Sequence, residues 1–160
     1  LLVSSAASDV YKRQIWLSEN LPLSPNPKKL CWGDSRIGNV LFEDFQVKSL
    51  LDWEMATIGD PLCDLAWGLT TDDVSSYGLN IEKLPGSIEN EEAIKFWEKN
   101  TGYSADNFFY YRILCLFKFS VIMIRVAKKL IHNEIMPLDS DFHVNNHVSN
   151  YLRQEFNEKN

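Results

Sequence analysis

"CWGDSRIGNVLFEDFQVKSLLDWE", residues 31–54, decides how this chain is read. An acid, a base and an amide (Asp34, Arg36 and Asn39) stand in the turn between two apolar runs, where a plain connection would use Gly, Asn and Pro. Residues 39–42 and 47–53 are short apolar runs separated by Glu43, Asp44, Phe45 and Gln46, the pattern of a β-hairpin. With the turn centred between Phe45 and Gln46, Asn39 faces Asp52. Directly opposed residues of an antiparallel pair have Cβ atoms about 4.5–5.5 Å apart, close enough for an amide oxygen and a carboxylate to share one cation. Magnesium suits such a pair, since it takes a few protein oxygens and completes its shell with water and phosphate. Asp34, in the loop feeding the first strand, is placed to act as a general base. Arg36, two residues on, can offset charge on a transferring phosphoryl group.

Around that stretch the chain has the make-up of one ordinary globular domain: 160 residues, 45% hydrophobic and 24% charged. A net charge of -6 without a run of Lys or Arg argues against a nucleic-acid partner or a polybasic membrane anchor. Cys31, Cys63 and Cys115 are far apart and odd in number, which fits a reducing, cytoplasmic setting better than a disulfide framework. The most apolar stretch, residues 113–124, carries Lys118 and falls short of the ~20 residues a membrane span needs. "SDVYKRQ", residues 8–14, looks like the translation of an adapter used in sequencing libraries. Residues 1–14 are therefore set aside as a non-native segment, leaving 15–160 as the domain.

Further elements are legible along the chain. A helix ends near Asn20, stopped by Pro22, Pro25 and Pro27. Asp60-Pro61 is a helix start, with Asp60 as N-cap and nothing more, and Leu62, Leu65, Ala66 and Leu69 form the buried face behind it. Residues 70–87 read as a polar loop. Asn90 caps a helix that ends before Gly102; Ser104 opens the longest helix, to about Asn133; Asp139 or Ser140 begins the last. Phe108, Tyr111, Leu114, Val121 and Ile124 are its expected core stripe. The i, i+4 pair His143 and His147 reads as a solvated face, with no third ligand near.

Residues 32–39, then Leu51-Asp52-Trp53-Glu54 and Gly59-Asp60-Pro61-Leu62-Cys63-Asp64-Leu65-Ala66, resemble the aminoglycoside phosphotransferase and choline-kinase-like family. Its catalytic loop follows the same logic as the H-R-D-x-x-x-x-N loop of protein kinases. The match extends over residues 15–160 and is similar to the kinase-like domain fused to some acyl-CoA dehydrogenases. What the resemblance implies is an α+β, mainly α fold: the C-terminal lobe of a protein-kinase-like architecture, with a short hairpin carrying the metal site. It further implies a kinase moving the γ-phosphoryl group of ATP to a small-molecule hydroxyl. Asp34 is then the catalytic base, Asn39 and Asp52 hold magnesium and through it the nucleotide, and Asp64 braces the catalytic loop. Arg36 occupies the position where protein kinases place a lysine near the transferred phosphate.

Two departures from the family pattern carry expectations. Trp32 stands where the family has histidine, and is expected to fill the space without the histidine's hydrogen bond. No Gly-rich loop or strand lysine for the α- and β-phosphates occurs, so the N-terminal lobe is absent and this piece alone should bind ATP poorly. Two alternatives stand beside the kinase. One is a non-catalytic kinase-like binding module; the other, ranked last, is a metal-dependent phosphoester hydrolase, which needs more carboxylate or histidine ligands than the hairpin offers.

Overall fold

In the computed structural model, which describes the backbone over residues 2–158 and side chains over 11–158, one helix precedes four short strands and four helices follow them. The order is α1 (Leu2–Glu19), β1 (Lys29–Cys31), β2 (Val40–Glu43), β3 (Gln46–Leu50), β4 (Thr57–Gly59), α2 (Leu62–Ser75), α3 (Asn90–Thr101), α4 (Phe108–His132) and α5 (His147–Glu158). The chain divides into two units, Pro22–Arg112 and the pair of segments Leu1–Leu21 and Ile113–Asn160.

All four strands belong to Pro22–Arg112. β2 and β3 pair as the expected hairpin, and β1 pairs antiparallel with β4, Leu30 opposite Ile58. The hairpin register differs from the one expected. Asp44 and Phe45 both take left-handed backbone (φ 50° and 60°), the conformation of a tight two-residue turn, so the turn is centred one residue earlier. Glu43 faces Gln46, a bulge intervenes at Leu41 and Phe42, and Val40 faces Leu50. Continuing outward, the Leu51 N–H donates to the Asn39 carbonyl at 2.8 Å, which puts Leu51, not Asp52, across from Asn39.

Helix α2 begins at Leu62, one residue later than Asp60-Pro61 predicts, with Pro61 at its N-cap; Leu62, Ala66 and Trp67 are buried, while Leu65 and Leu69 are only part-buried. It runs six residues into the stretch expected to be loop, because that stretch is not polar surface: Thr70, Thr71, Asp73 and Val74 are all buried. Asp73 accepts from Asn90 Nδ2 and Arg112 Nη1, each at 2.7 Å, and its other oxygen lies 2.7 Å from Lys83 Nζ. Asn90 is thereby spent on Asp73; Glu89 occupies the N-cap of α3, and no side chain caps it. Gly102, at φ 71°, ends α3 as expected.

The other unit is helical. Trp16 of α1 meets Phe156 of α5 edge-on, ring centroids 5.7 Å apart, and the Arg13 guanidinium lies over the same Phe156 ring. α1 runs unbroken from Leu2 through the described part of the segment set aside in the sequence. Helix α4 starts at Phe108, later than expected, since residues around Ser104 form a turn in which Ser104 Oγ accepts from the Asp106 N–H. Its buried positions include Ile113, Leu116, Met123 and Ala127, while Val121 is exposed. Apart from Lys118 and Ser120, residues 113–124 are apolar all round the helix, so spacing alone could not choose the buried face. α5 begins at His147, after turns over residues 139–146. Among the described residues no helix is long and apolar enough to cross a membrane.

Candidate active site

The loop between β1 and β2 is moulded by the first turns of α2. Asp64 lies at the start of α2 with both carboxylate oxygens turned on the loop backbone: Oδ2 accepts the Trp32 N–H at 2.7 Å and Oδ1 the Gly33 N–H at 2.8 Å. Ser35 returns the contact, its hydroxyl donating to the Asp64 carbonyl at 2.6 Å. Carboxylate-to-amide bonds of this kind are charge-assisted and short, so they fix the loop more firmly than turn propensity can. Gly33 sits at φ 91°, and a Cβ there would collide with the Met55 carbonyl, so only glycine lets the loop pass. Gly68, one turn beyond Asp64, serves the same fit, because a Cβ on it would come within 2.8 Å of the Ser35 carbonyl.

Trp32 does more than fill a space. Its indole Nε1–H donates to the Leu51 carbonyl at 2.7 Å, and its ring packs on Trp53 with centroids 6.0 Å apart. Trp32 thus makes a hydrogen bond of its own, to the chain just before Asp52.

Asp34 is the meeting point of the loop. Its Oδ2 accepts from Arg36 Nε at 3.0 Å and from Asn39 Nδ2 at 2.7 Å, and its Oδ1 accepts from Trp67 Nε1 at 2.7 Å. Burial works against the charge on Asp34. Hydrogen bonds from Arg36, Trp67 and Asn39, with the Arg36 charge, outweigh it and hold the carboxyl below its ordinary value. Arg36 is thus an ion-pair partner of Asp34, with its side chain half exposed. Trp67 was invisible to motif reading, since a tryptophan on an apolar helix passes for core. The signal available was its position, three residues after Asp64 on the same helix.

Asn39 is buried at the end of a short 3-10 turn, and Asp52 is exposed just past β3. The Asn39 amide nitrogen is committed to Asp34, both to the carboxylate and to the main-chain carbonyl at 3.1 Å, which leaves its Oδ1 as the atom for a cation. Asp52 takes a left-handed backbone, φ 60°, so the strict strand alternation that would send residues 51 and 52 to opposite faces does not govern it. As donors, an amide oxygen and a carboxylate fit a hard cation that keeps water and phosphate ligands, and fit zinc poorly. Among the described residues no group of three or more His, Cys, Asp or Glu could hold a metal.

Asp60, expected only to cap α2, is a node. It accepts from the Leu62 N–H, from the N–H and side-chain amide of Asn26, and from the Tyr111 hydroxyl at 3.1 Å. Burial, followed by the Asp60 charge, pushes the Tyr111 phenol well above its usual range. Asn26 in turn brackets Ser104 through that residue's N–H and carbonyl. The start of α2 is thereby anchored on two sides.

The hairpin, the aspartate loop beside it and the helix that braces the loop stand in a helix-rich α+β chain. A crystal structure of a Ralstonia eutropha protein classed as an aminoglycoside phosphotransferase shares this fold, with a TM-score of 0.66 at 18% identity over 91% of this chain and 46% of the other. The model of the phosphotransferase enzyme family matches residues 7–97, more than half of the chain. The chain belongs to that family. Acyl-CoA dehydrogenase family member 11 of Gallus gallus is 35% identical over 132 residues, 74% of this chain and 17% of the relative. Family member 11 of Pongo abelii is 33% identical over 118 residues, and family member 10 of Mus musculus 30% over 125. The chain spans less than a fifth of the length of these curated relatives.

Proposed function

We propose that the chain is the C-terminal, catalytic lobe of an ATP-dependent phosphotransferase that moves the γ-phosphoryl group onto a small-molecule hydroxyl. The observation that carries this reading is the convergence of Arg36, Asn39 and Trp67 on Asp34. An ionised carboxylate has about four acceptor sites; three side-chain donors occupy three and leave one for an acceptor hydroxyl. Held below its ordinary pKa, Asp34 is ionised at neutral pH and a weak base. It orients the hydroxyl and takes its proton as the new O–P bond forms and the bond from the γ-phosphorus to the oxygen leaving with ADP breaks. Arg36 supplies positive charge beside the base for the phosphoryl group in transfer.

Asn39 through Oδ1 and Asp52 through its carboxylate are the residues that would hold magnesium, whose chemistry is to neutralise the phosphate oxygens of ATP. Asp64 and Trp32 keep the two halves of the site in register, one gripping the loop backbone and the other the chain before Asp52. The hairpin supports a partial-domain reading: Phe42, Phe45 and Val47 are large apolar residues left at least half exposed, as expected of a strand pair that packs on a nucleotide-binding lobe. An ATP-consuming reaction also suits the cytoplasmic setting read from the cysteines.

The test is magnesium-dependent ADP formation by the enzyme carrying its nucleotide-binding lobe, offered hydroxylated metabolites and hydroxylated acyl-CoA derivatives as acceptors. Asp52→Ala should abolish it. Undiminished turnover by that variant overturns the metal assignment, and an intact protein that forms no ADP with any acceptor is the non-catalytic binding module instead.

A further inference from the structure

We infer that Trp67 is a positioning residue for Asp34: its indole N–H, not its bulk, sets the rotation of the carboxylate that receives the acceptor proton. This rests on the role proposed for Asp34. The terminal torsion of an aspartate is soft, a broad two-fold well, so the donors on its two oxygens set where the carboxylate rests. Arg36 and Asn39 both bond Oδ2. Among the described side chains that donate to Asp34, Trp67 is the one on Oδ1, at 2.7 Å, and this second point of attachment completes the hold on the rotation.

The origin of the donor matters as much as the bond. Trp67 is 4% exposed in α2, on the helix whose Asp64 grips the Trp32 and Gly33 amides and whose Gly68 lies against the Ser35 carbonyl. Loop backbone and base are therefore aligned by one rigid helix within a single turn. Arg36, by contrast, comes from the loop itself and is half exposed, so it moves with Asp34 and cannot serve as a fixed reference. A neutral N–H also orients the carboxylate without adding a second charge beside it.

A group of this kind contributes to alignment in the transition state and little to substrate binding. Trp67→Phe, in the enzyme carrying its nucleotide-binding lobe, should lower kcat about tenfold to a hundredfold while KM for acceptor and ATP stays within about twofold. Benzothienylalanine at position 67, which keeps the tryptophan shape and replaces N–H by sulfur, should lower kcat in the same way and decides the matter if Trp67→Phe fails to fold. In the 160-residue chain itself, the Trp67 indole N–H resonance should shift on Asp34→Asn. Wild-type kcat in the benzothienylalanine protein, or an unmoved indole resonance, overturns the inference. If Asp34→Asn turns over like wild type, the role of Asp34 itself is refuted, a result distinct from either of these.

Discussion

Trp32 donates its indole N–H to the Leu51 carbonyl at 2.7 Å, so the loop bearing Asp34 is clasped to the chain immediately before Asp52. Trp32 is buried, and loss of its donor leaves the Leu51 carbonyl without that partner. Trp32→Phe should cost about 1–3 kcal/mol, read as a lowered urea midpoint at unchanged slope. A midpoint equal to wild type would mean that the bond contributes nothing beyond what water offers.

Asp64 binds two backbone N–H groups at once, and an asparagine can offer only one acceptor oxygen, turning its amide hydrogens on the other N–H. Asp64→Asn should destabilise the chain by about 1–3 kcal/mol and speed hydrogen exchange selectively at the Trp32 and Gly33 amides. Uniform exchange changes across the chain would instead indicate general loosening.

Asp73, Lys83 and Arg112 form an ion network with side chains almost fully buried. Burial opposes the charge on Asp73, but its bonds to Lys83 and Arg112 prevail and hold the carboxyl below its ordinary 3.8. The same balance lifts Lys83 above 10.5. The contribution of Asp73 is complete above the unfolded value and lost as pH falls through the lowered folded one. That of Lys83 is complete below 10.5 and lost as pH rises through its raised value. Thermal midpoints should therefore carry an acid limb that Asp73→Asn removes. The same variant, removing the buried carboxylate that Lys83 and Arg112 share while Lys83 keeps its pair with Asp72, should lose about 3–5 kcal/mol at neutral pH. An acid limb of full size in Asp73→Asn would assign it to other carboxylates.

The hairpin and the start of α2 were legible because each has a local cause: alternation around a turn, and an Asp-Pro helix start. The loop residues drew notice for a related reason, since acid, base and amide are costly to crowd into a turn without use. What sequence could not supply were long-range partners. The pairing of β1 with β4, the reach of Asp60 to Asn26 and Tyr111, and the burial of Asp73 depend on contacts tens of residues apart. The hairpin register slipped by one because left-handed Asp44 and Phe45, the latter in a backbone its residue type disfavours, draw the turn back one residue, a change of two in the pairing of which the bulge at Leu41 and Phe42 returns one. Trp67 was missed because its apolar ring, rather than its single N–H, dominates any pattern.

Asp34→Asn is the most direct measurement of the whole account. The substitution keeps shape but removes the charge and the proton-accepting oxygen pair, so in the enzyme carrying its nucleotide-binding lobe kcat for acceptor phosphorylation should fall by about 10²–10⁴. Folding, followed by circular dichroism, should persist. A folded Asp34→Asn enzyme that phosphorylates its acceptor at the wild-type rate would contradict the central claim.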